Sequence, residues 1–275
     1  MLLHDWPLPA NVGIAMTDRH GGGLGAGHCG VSVAPYDNLN LGLHVGEDAE
    51  QVYTNRGLLA KALQLPTEPV WLEQVHGTEV IDLACVAAIP LVHTESAKQN
   101  ASLAANHALN ATSAPIADAS YTNLAGRVCV VMTADCLPVL LCNLQGTEVA
   151  AAHAGWRGLC DGVIEAAASR FVSKPSDLIA YLGPTIGPTK FEVGSEVRAA
   201  FMAKDENAEK CFTAQPENSD KYLADIIGLA KLRLAKLGIT QVYSANICTV
   251  TSPDYFSYRR DKITGRMASL IWLKS

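Results

Sequence analysis

The residues best suited to chemistry in this chain are one cysteine and two histidines. Cys136 sits in TADCLPVLL, His153 in AAHAGWRGL and His76 in WLEQVHGTEV. RVCVVMTADCLPVLLCN and TEVAAAHAGW read as two strands, and NLQG between them is a turn signal. A four-residue turn over Asn143–Gly146 puts Cys142 opposite Thr147 and Cys136 opposite His153. Directly opposed residues on antiparallel strands hold their Cβ atoms about 4.5–5.5 Å apart. That separation suits two ligands of one metal, or a thiolate–imidazole pair. It also fits a buried cysteine and a strand-end histidine with no partnership, and a slip of one residue would put the two on opposite faces. Nothing local ties His76 to this pair. If it joins them, two His and one Cys leave a fourth coordination position open, the arrangement of catalytic rather than structural zinc. Water at such a site ionises near neutral pH.

Anion-binding groups follow. His153 leads through Gly155, Trp156, Arg157 and Gly158 into a predicted helix. A glycine-flanked turn at a helix start offers free N–H groups, and Arg157 adds a planar fork for phosphate or carboxylate. Tyr258 precedes a second basic group of Arg259, Arg260 and Arg266, and Arg56 is a further candidate for phosphate. Asp135 or Glu73 could move protons, and Tyr258 or Phe256 could stack on a base. His4, His93 and His107 read as solvent-facing, whereas His20, His28 and His44 remain open as site members. Gly25–Gly30 matches G-x-G-x-x-G, but the extended Val31–Pro35 follows it in place of a helix, so no dinucleotide site is expected.

The elements that must position these groups alternate between strand and helix. Strands are expected at Val12–Met16, Leu178–Leu182 and Gln241–Ile247, with a last one in the SYRRDKITGRMASLIWL segment. Helices are expected at Asp48–Leu65, at Leu159–Phe171, from Ser195 to Ala203, and from a Ser219 cap to Gly238. Pro69–Leu83 reads as extended, and Ala84–Ala117 as an inserted loop or loose helical excursion. The expected outcome is one α/β (α+β) domain over 1–275.

Composition bounds the remaining options. The chain has 275 residues, 49% hydrophobic and 17% charged, enough for a sizeable core. Its net charge of −6 argues against nucleic acid or a membrane surface as partner. Eight Cys in 275 residues do not make a disulfide scaffold, and no signal peptide or membrane-spanning run is visible. A cytoplasmic protein with reduced thiols is expected. A monomer is expected.

LNLGLHVGED, WLEQVHGTEV, TADCLPVLL, AAHAGWRGL, GPTIGPTKFEVG and FSYRRDKITGRMASLIWL together resemble the bacterial YfiH or laccase-domain family. That family is also called polyphenol oxidase, and its animal relatives include FAMIN. The resemblance runs in order over nearly the whole chain. It implies a single α/β domain of mixed sheets between helices, distantly like cytotoxic-necrotizing-factor deamidases. It implies zinc held by His76, Cys136 and His153. It also implies phosphorolysis of adenosine, inosine, guanosine and methylthioadenosine, with adenosine deamination. Residues 23–29 and 84–115 look like insertions relative to the usual pattern. Two alternatives stand beside this reading. One is a cysteine hydrolase or deamidase with Cys136 as nucleophile and His153 as base, acting on peptidoglycan precursors. The other is a copper polyphenol oxidase, which the absence of clustered H-x-H pairs disfavours.

Overall fold

A strand with both faces buried reads as an apolar run, and the centre of this chain is built from such runs. The computed structural model describes residues 6–21, 30–91, 114–216 and 218–274. In chain order the elements begin with β1 (Val12–Met16), α1 (Ala49–Ala62), β2 (Val80–Asp82), β3 (Ala119–Thr122) and β4 (Val128–Thr133). Next come β5 (Leu137–Asn143), β6 (Val149–Ala154), α2 (Trp156–Asp161), α3 (Val163–Ala168) and β7 (Leu178–Leu182). The chain finishes with β8 (Glu192–Gly194), α4 (Ser195–Lys204), β9 (Phe212–Gln215), β10 (Asn218–Ala224), α5 (Ile226–Leu237), β11 (Gln241–Ser244), α6 (Tyr258–Asp261) and β12 (Met267–Leu273).

A six-stranded mixed sheet, ordered β11-β7-β5-β6-β3-β2, forms the middle. Alternate residues of its strands serve two cores, as the period of two requires. Val139 and Leu141 join Ala150 and Ala152 in packing against Leu159, Val163, Ile164 and Leu234 of the helices. Leu140, Cys142, Val149 and Ala151 face the antiparallel three-stranded sheet β1-β12-β4 through Val12, Val131 and Ile271. The far face of that small sheet carries Val128, Val130, Leu270 and Trp272, which α1 covers with Leu59 and Ala60. The result is a mixed α/β arrangement of helix, sheet, sheet and helices. A separate small sheet, β8-β10-β9, lies beside α4.

Four local expectations differ from what the chain does. The hairpin pairs Cys142 with Val149 and Pro138 with His153, so Cys136 is not directly opposite His153. The turn is longer than four residues. The Asn143 side-chain oxygen accepts from the amides of Thr147 (2.7 Å) and Glu148 (3.1 Å), and the Asn143 amide donates to the Glu148 carbonyl. The register therefore shifts by two, an even number that leaves every side chain on its expected face. The helix expected over Leu159–Phe171 is broken in two at Gly162, whose φ of 108° lies in the left-handed region that glycine tolerates. The segment from Ser219 is strand β10, and the α5 cap is the Asp225 side chain, which accepts from the Gly228 amide. Ser195 is likewise the first helical residue of α4, not its cap. Most of the 84–115 segment and all of residues 23–29 lie outside the described residues, as do His4, His28, His93 and His107.

Glu148 ties the hairpin to the segment after α3. Its carboxylate accepts from the Val172 and Ser173 amides, the Ser173 and Tyr121 hydroxyls and the Asn143 side chain. Burial would raise its pKa, but these donors outweigh burial and hold it below the ordinary value. Because the folded value is depressed, the stabilisation is present above the unfolded glutamate pKa and is lost as pH falls through the folded one. Glu148→Gln turns an amide N–H₂ toward donors and is expected to cost about 2 kcal/mol. Urea titration at pH 7 measures this, and the difference from the parent should shrink in acid.

Candidate functional site

The topology gathers the chemical residues at one end of the six-stranded sheet. β5 begins where its antiparallel neighbour β6 ends, which brings Cys136, just ahead of β5, to His153 near the end of β6. β3 runs antiparallel to β6, so Asp118 at its start reaches the same end. β2 runs parallel to β3, and the loop before it delivers His76. Cys136 Sγ lies 3.7 Å from His76 Nε2. One ligand atom from each of His76, Cys136 and His153 falls within 4.8 Å of the others. The two imidazoles meet edge to face with centroids 4.8 Å apart. The structure thus brings together the trio that the sequence suggested, although not by direct cross-strand pairing.

Asp118 holds the trio in place. It is fully buried. Its carboxylate accepts from the amides of Val75 (3.1 Å), His76 (2.9 Å) and Gly77 (2.6 Å). It also lies 2.8 Å from His153 Nδ1. With Nδ1 donating to the carboxylate, His153 presents Nε2 toward Cys136 and His76 as a lone-pair ligand. Three convergent amides explain how His76 keeps a φ of 62°, unusual for a residue other than glycine. Burial would raise the Asp118 carboxyl, yet His153 and the amides of Gly77 and Val75 bring it below its ordinary value. The same balance governs the thiol. Burial alone would raise Cys136, but His153 and His76 draw it down to about 6. His153 is pushed up to about 9, against burial, by Cys136 and Asp118.

Donor chemistry and space both fit a metal ion. Two imidazole nitrogens and a thiolate-prone sulfur form a three-ligand set with room for a fourth partner. Gly155 cradles them: a Cβ there would lie 2.6 Å from His76 Cδ2 and 3.3 Å from Cys136 Sγ. Sequence reasoning missed Asp118. Its signal is a lone acid in the apolar PIADASYT run, and its partners lie some 40 residues away.

The trio lines a cleft of about 800 Å³, within the size range of small-molecule sites. Arg56, Tyr258, His44, Glu73 and Arg266 also line it. Arg56 is buried against Trp71, with its guanidinium carbon 3.8 Å from the ring centroid. Burial lowers Arg56 to about 10 and holds Arg266 below its ordinary value. Burial, then the positive charges of Arg266 and Arg56, keep His44 below the usual imidazole range. Other expected residues sit outside the lining. Arg157 is exposed and stacks on Trp156. The space beside its short helix is filled, because a Cβ on Gly158 would meet the Gly77 carbonyl at 2.6 Å. Arg259 donates to the Glu192 carbonyl (3.1 Å) beside Phe191. Arg260 braces the carbonyls of Thr249, Val250 and Ser252. Phe256 is core. His20 faces Asp254 at 3.5 Å on the surface. Asp135 has both carboxylate oxygens engaged, one with the Thr249 hydroxyl (2.6 Å) and one with the Arg259 amide (2.6 Å). It anchors α6, and with it Tyr258, beside the cleft.

Comparison with known proteins identifies relatives of the chain and of its fold. Residues 15–274 match the family described as multi-copper polyphenol oxidoreductase laccase. A Shigella flexneri protein named purine nucleoside phosphorylase YfiH is 49% identical, the match covering 99% of this chain and 98% of the relative. A Haemophilus influenzae purine nucleoside phosphorylase is 45% identical over 98% of each. A Neisseria meningitidis protein of known crystal structure is 42% identical, with a TM-score of 0.82 over 98% of both chains. YfiH of Bacillus licheniformis superimposes with a TM-score of 0.78 at 26% identity, covering 96% of this chain and 93% of that one. No described helix is long and apolar enough to cross a membrane.

The Gly155 cradle yields a direct test. Gly155→Ala should weaken metal binding by about tenfold or more while leaving the fold intact, since the added methyl displaces His76. Metal titration beside far-ultraviolet circular dichroism separates the two effects.

Proposed function

The chain belongs to the multi-copper polyphenol oxidoreductase laccase family, that of the YfiH proteins, and we propose that it is a zinc-dependent purine nucleoside phosphorylase. Its substrates would be adenosine, inosine, guanosine and methylthioadenosine, and adenosine would also be deaminated. The observation that carries this reading is the His76–Cys136–His153 cluster opening into a cleft large enough for a nucleoside. The names of the curated relatives supply the reaction class.

His76, Cys136 and His153 would hold the metal. When bound, zinc supplies Lewis acidity at the cleft floor. Asp118 keeps His153 in the tautomer that leaves Nε2 free and pins the His76 loop. Tyr258, 53% exposed at the cleft edge, offers a ring face to a purine. Asp135 positions that tyrosine through the Arg259 amide. In phosphorolysis a phosphate oxygen bonds to ribose C1′ and the C1′–N9 bond breaks. The electron pair leaves with the purine, which takes up the proton that phosphate gives up.

A second reading draws on the Cys136–His153–Asp118 alignment, which also resembles an activated thiol with its base and orienting acid. Here Cys136 attacks an amide, as in a hydrolase or deamidase. Copper oxidation has less support. Among the described residues there is one three-ligand cluster, whereas a multicopper oxidase needs a mononuclear and a trinuclear centre.

Cys136→Ala decides between these. The phosphorylase reading expects about one zinc per parent chain, little in the variant, and a loss of ribose 1-phosphate formation of about 100-fold or more. A zinc-free parent alkylated at Cys136 and inert toward nucleosides would favour the thiol reading.

A further inference from the structure

Two guanidiniums, the buried Arg56 and the half-buried Arg266, face the cleft with no carboxylate hydrogen-bonded to either, and Asp135, whose charge acts on Arg266, is already engaged by Thr249 and Arg259. Arg56 is 7% exposed, and its Nε and Nη2 both donate to the Leu41 carbonyl, at 3.0 and 2.8 Å. Glu68, the acid whose charge acts on Arg56, already accepts from the Trp71 ring N–H at 2.9 Å. Arg266 uses Nη1 on the carbonyls of Thr264 (3.0 Å) and Gly265 (3.1 Å). Its backbone amide is fixed by the Asn40 side chain at 2.8 Å. Gly42 gives its stem passage, for a Cβ there would lie 2.8 Å from Arg266 Cγ and 3.4 Å from His44 Cε1. Among the described residues no ion pair includes Arg56 or Arg266.

Carbonyl dipoles orient a guanidinium but do not neutralise it, and a desolvated charge without a counter-ion is costly. Each carbonyl-bound fork has further N–H groups that the carbonyls do not take. Two such forks beside a histidine, all lining one cleft, match a tetrahedral oxyanion with several acceptor oxygens. We infer that Arg56 and Arg266, with His44 beside them, form a phosphate subsite next to the His76–Cys136–His153 cluster. Of the C-terminal arginines it is therefore Arg266, and not Arg259 or Arg260, that serves the anion. The inference rests on the phosphorolytic reading for its role: the bound anion is the inorganic phosphate that attacks C1′. Arg56 fixes both the anion and the Leu41 backbone, whereas Arg266 is the separable contributor.

Arg266→Gln keeps length and hydrogen-bonding capacity but removes the charge. Initial rates with varied inorganic phosphate and saturating inosine should show the phosphate KM raised about tenfold or more. The inosine KM and the zinc content should stay near parental. Arg266→Lys should recover part of the loss, and His44→Gln should move the same constant in the same direction. An unchanged phosphate KM in Arg266→Gln overturns the inference while leaving the phosphorylase reading in place. Conversely, a parent that forms no ribose 1-phosphate sinks that reading. Titration of inorganic phosphate followed by ³¹P resonance then still tests the subsite, with binding expected in the parent and lost in Arg266→Gln. Inosine 5′-monophosphate separates the two sources of phosphate. If Arg266→Gln raises the KM of the nucleotide but not that of inorganic phosphate, the subsite serves the substrate's own phosphate and the inference fails.

Discussion

The buried carboxylate of Asp118 is the constraint on which the site depends. It stands at the start of β3 and touches two of the three other contributors to the sheet end, His153 and the His76 loop. Through Nδ1 it orients His153 from β6, and through three amides it fixes the loop that carries His76. The Gln74 side chain ties the preceding part of that loop to Met132, but the amides of Val75, His76 and Gly77, including that of a histidine with a positive φ, are held by Asp118. Charge-assisted hydrogen bonds to main-chain N–H groups are short and strong. They convert a flexible approach into a fixed one, and a metal site requires that fixity.

The layered fold makes this convergence possible. Alternation along β5 and β6 commits every side chain to one of two cores, leaving only the strand ends free for polar work. Antiparallel pairing of β5 with β6 and of β6 with β3 then puts one start, one end and another start together. The three-stranded sheet contributes the opposite wall. Thr133 ends β4, and Arg266 precedes β12, beside the same cleft. The His76–Cys136–His153 trio thus comes from the six-stranded sheet, Arg266 from the approach to β12 and Arg56 from α1, and all line one cleft.

Much of this was legible in the sequence. The β-rich runs and the glycine-flanked HAGWRG turn pointed to a Cys–His convergence with His76 as a third candidate, and the family resemblance implied the same trio. The hairpin register was misjudged by two residues because Asn143 extends the turn through its own side chain, which strand periodicity does not register. The even error left the faces correct, so the chemical conclusion survived the geometric one. Ser219 reads as the helix cap in the sequence, but Lys221–Leu223 pair with β8 within strand β10, and the helix begins only after Asp225. Asp118 was missed because its significance lies in main-chain donors distant in sequence. Among the clustered arginines, only tertiary structure decides that Arg259 and Arg260 bind carbonyls while Arg266 enters the cleft.

The account is tested most directly by the zinc affinity of Asp118→Asn, measured by chelator competition alongside thermal unfolding. Asparagine preserves shape but offers an N–H₂ group where donors already converge, so it cannot serve the loop and His153 together. The expected result is a folded protein whose zinc dissociation constant rises by about 10- to 100-fold. A folded variant with parental zinc affinity would contradict the claim that this carboxylate assembles the site.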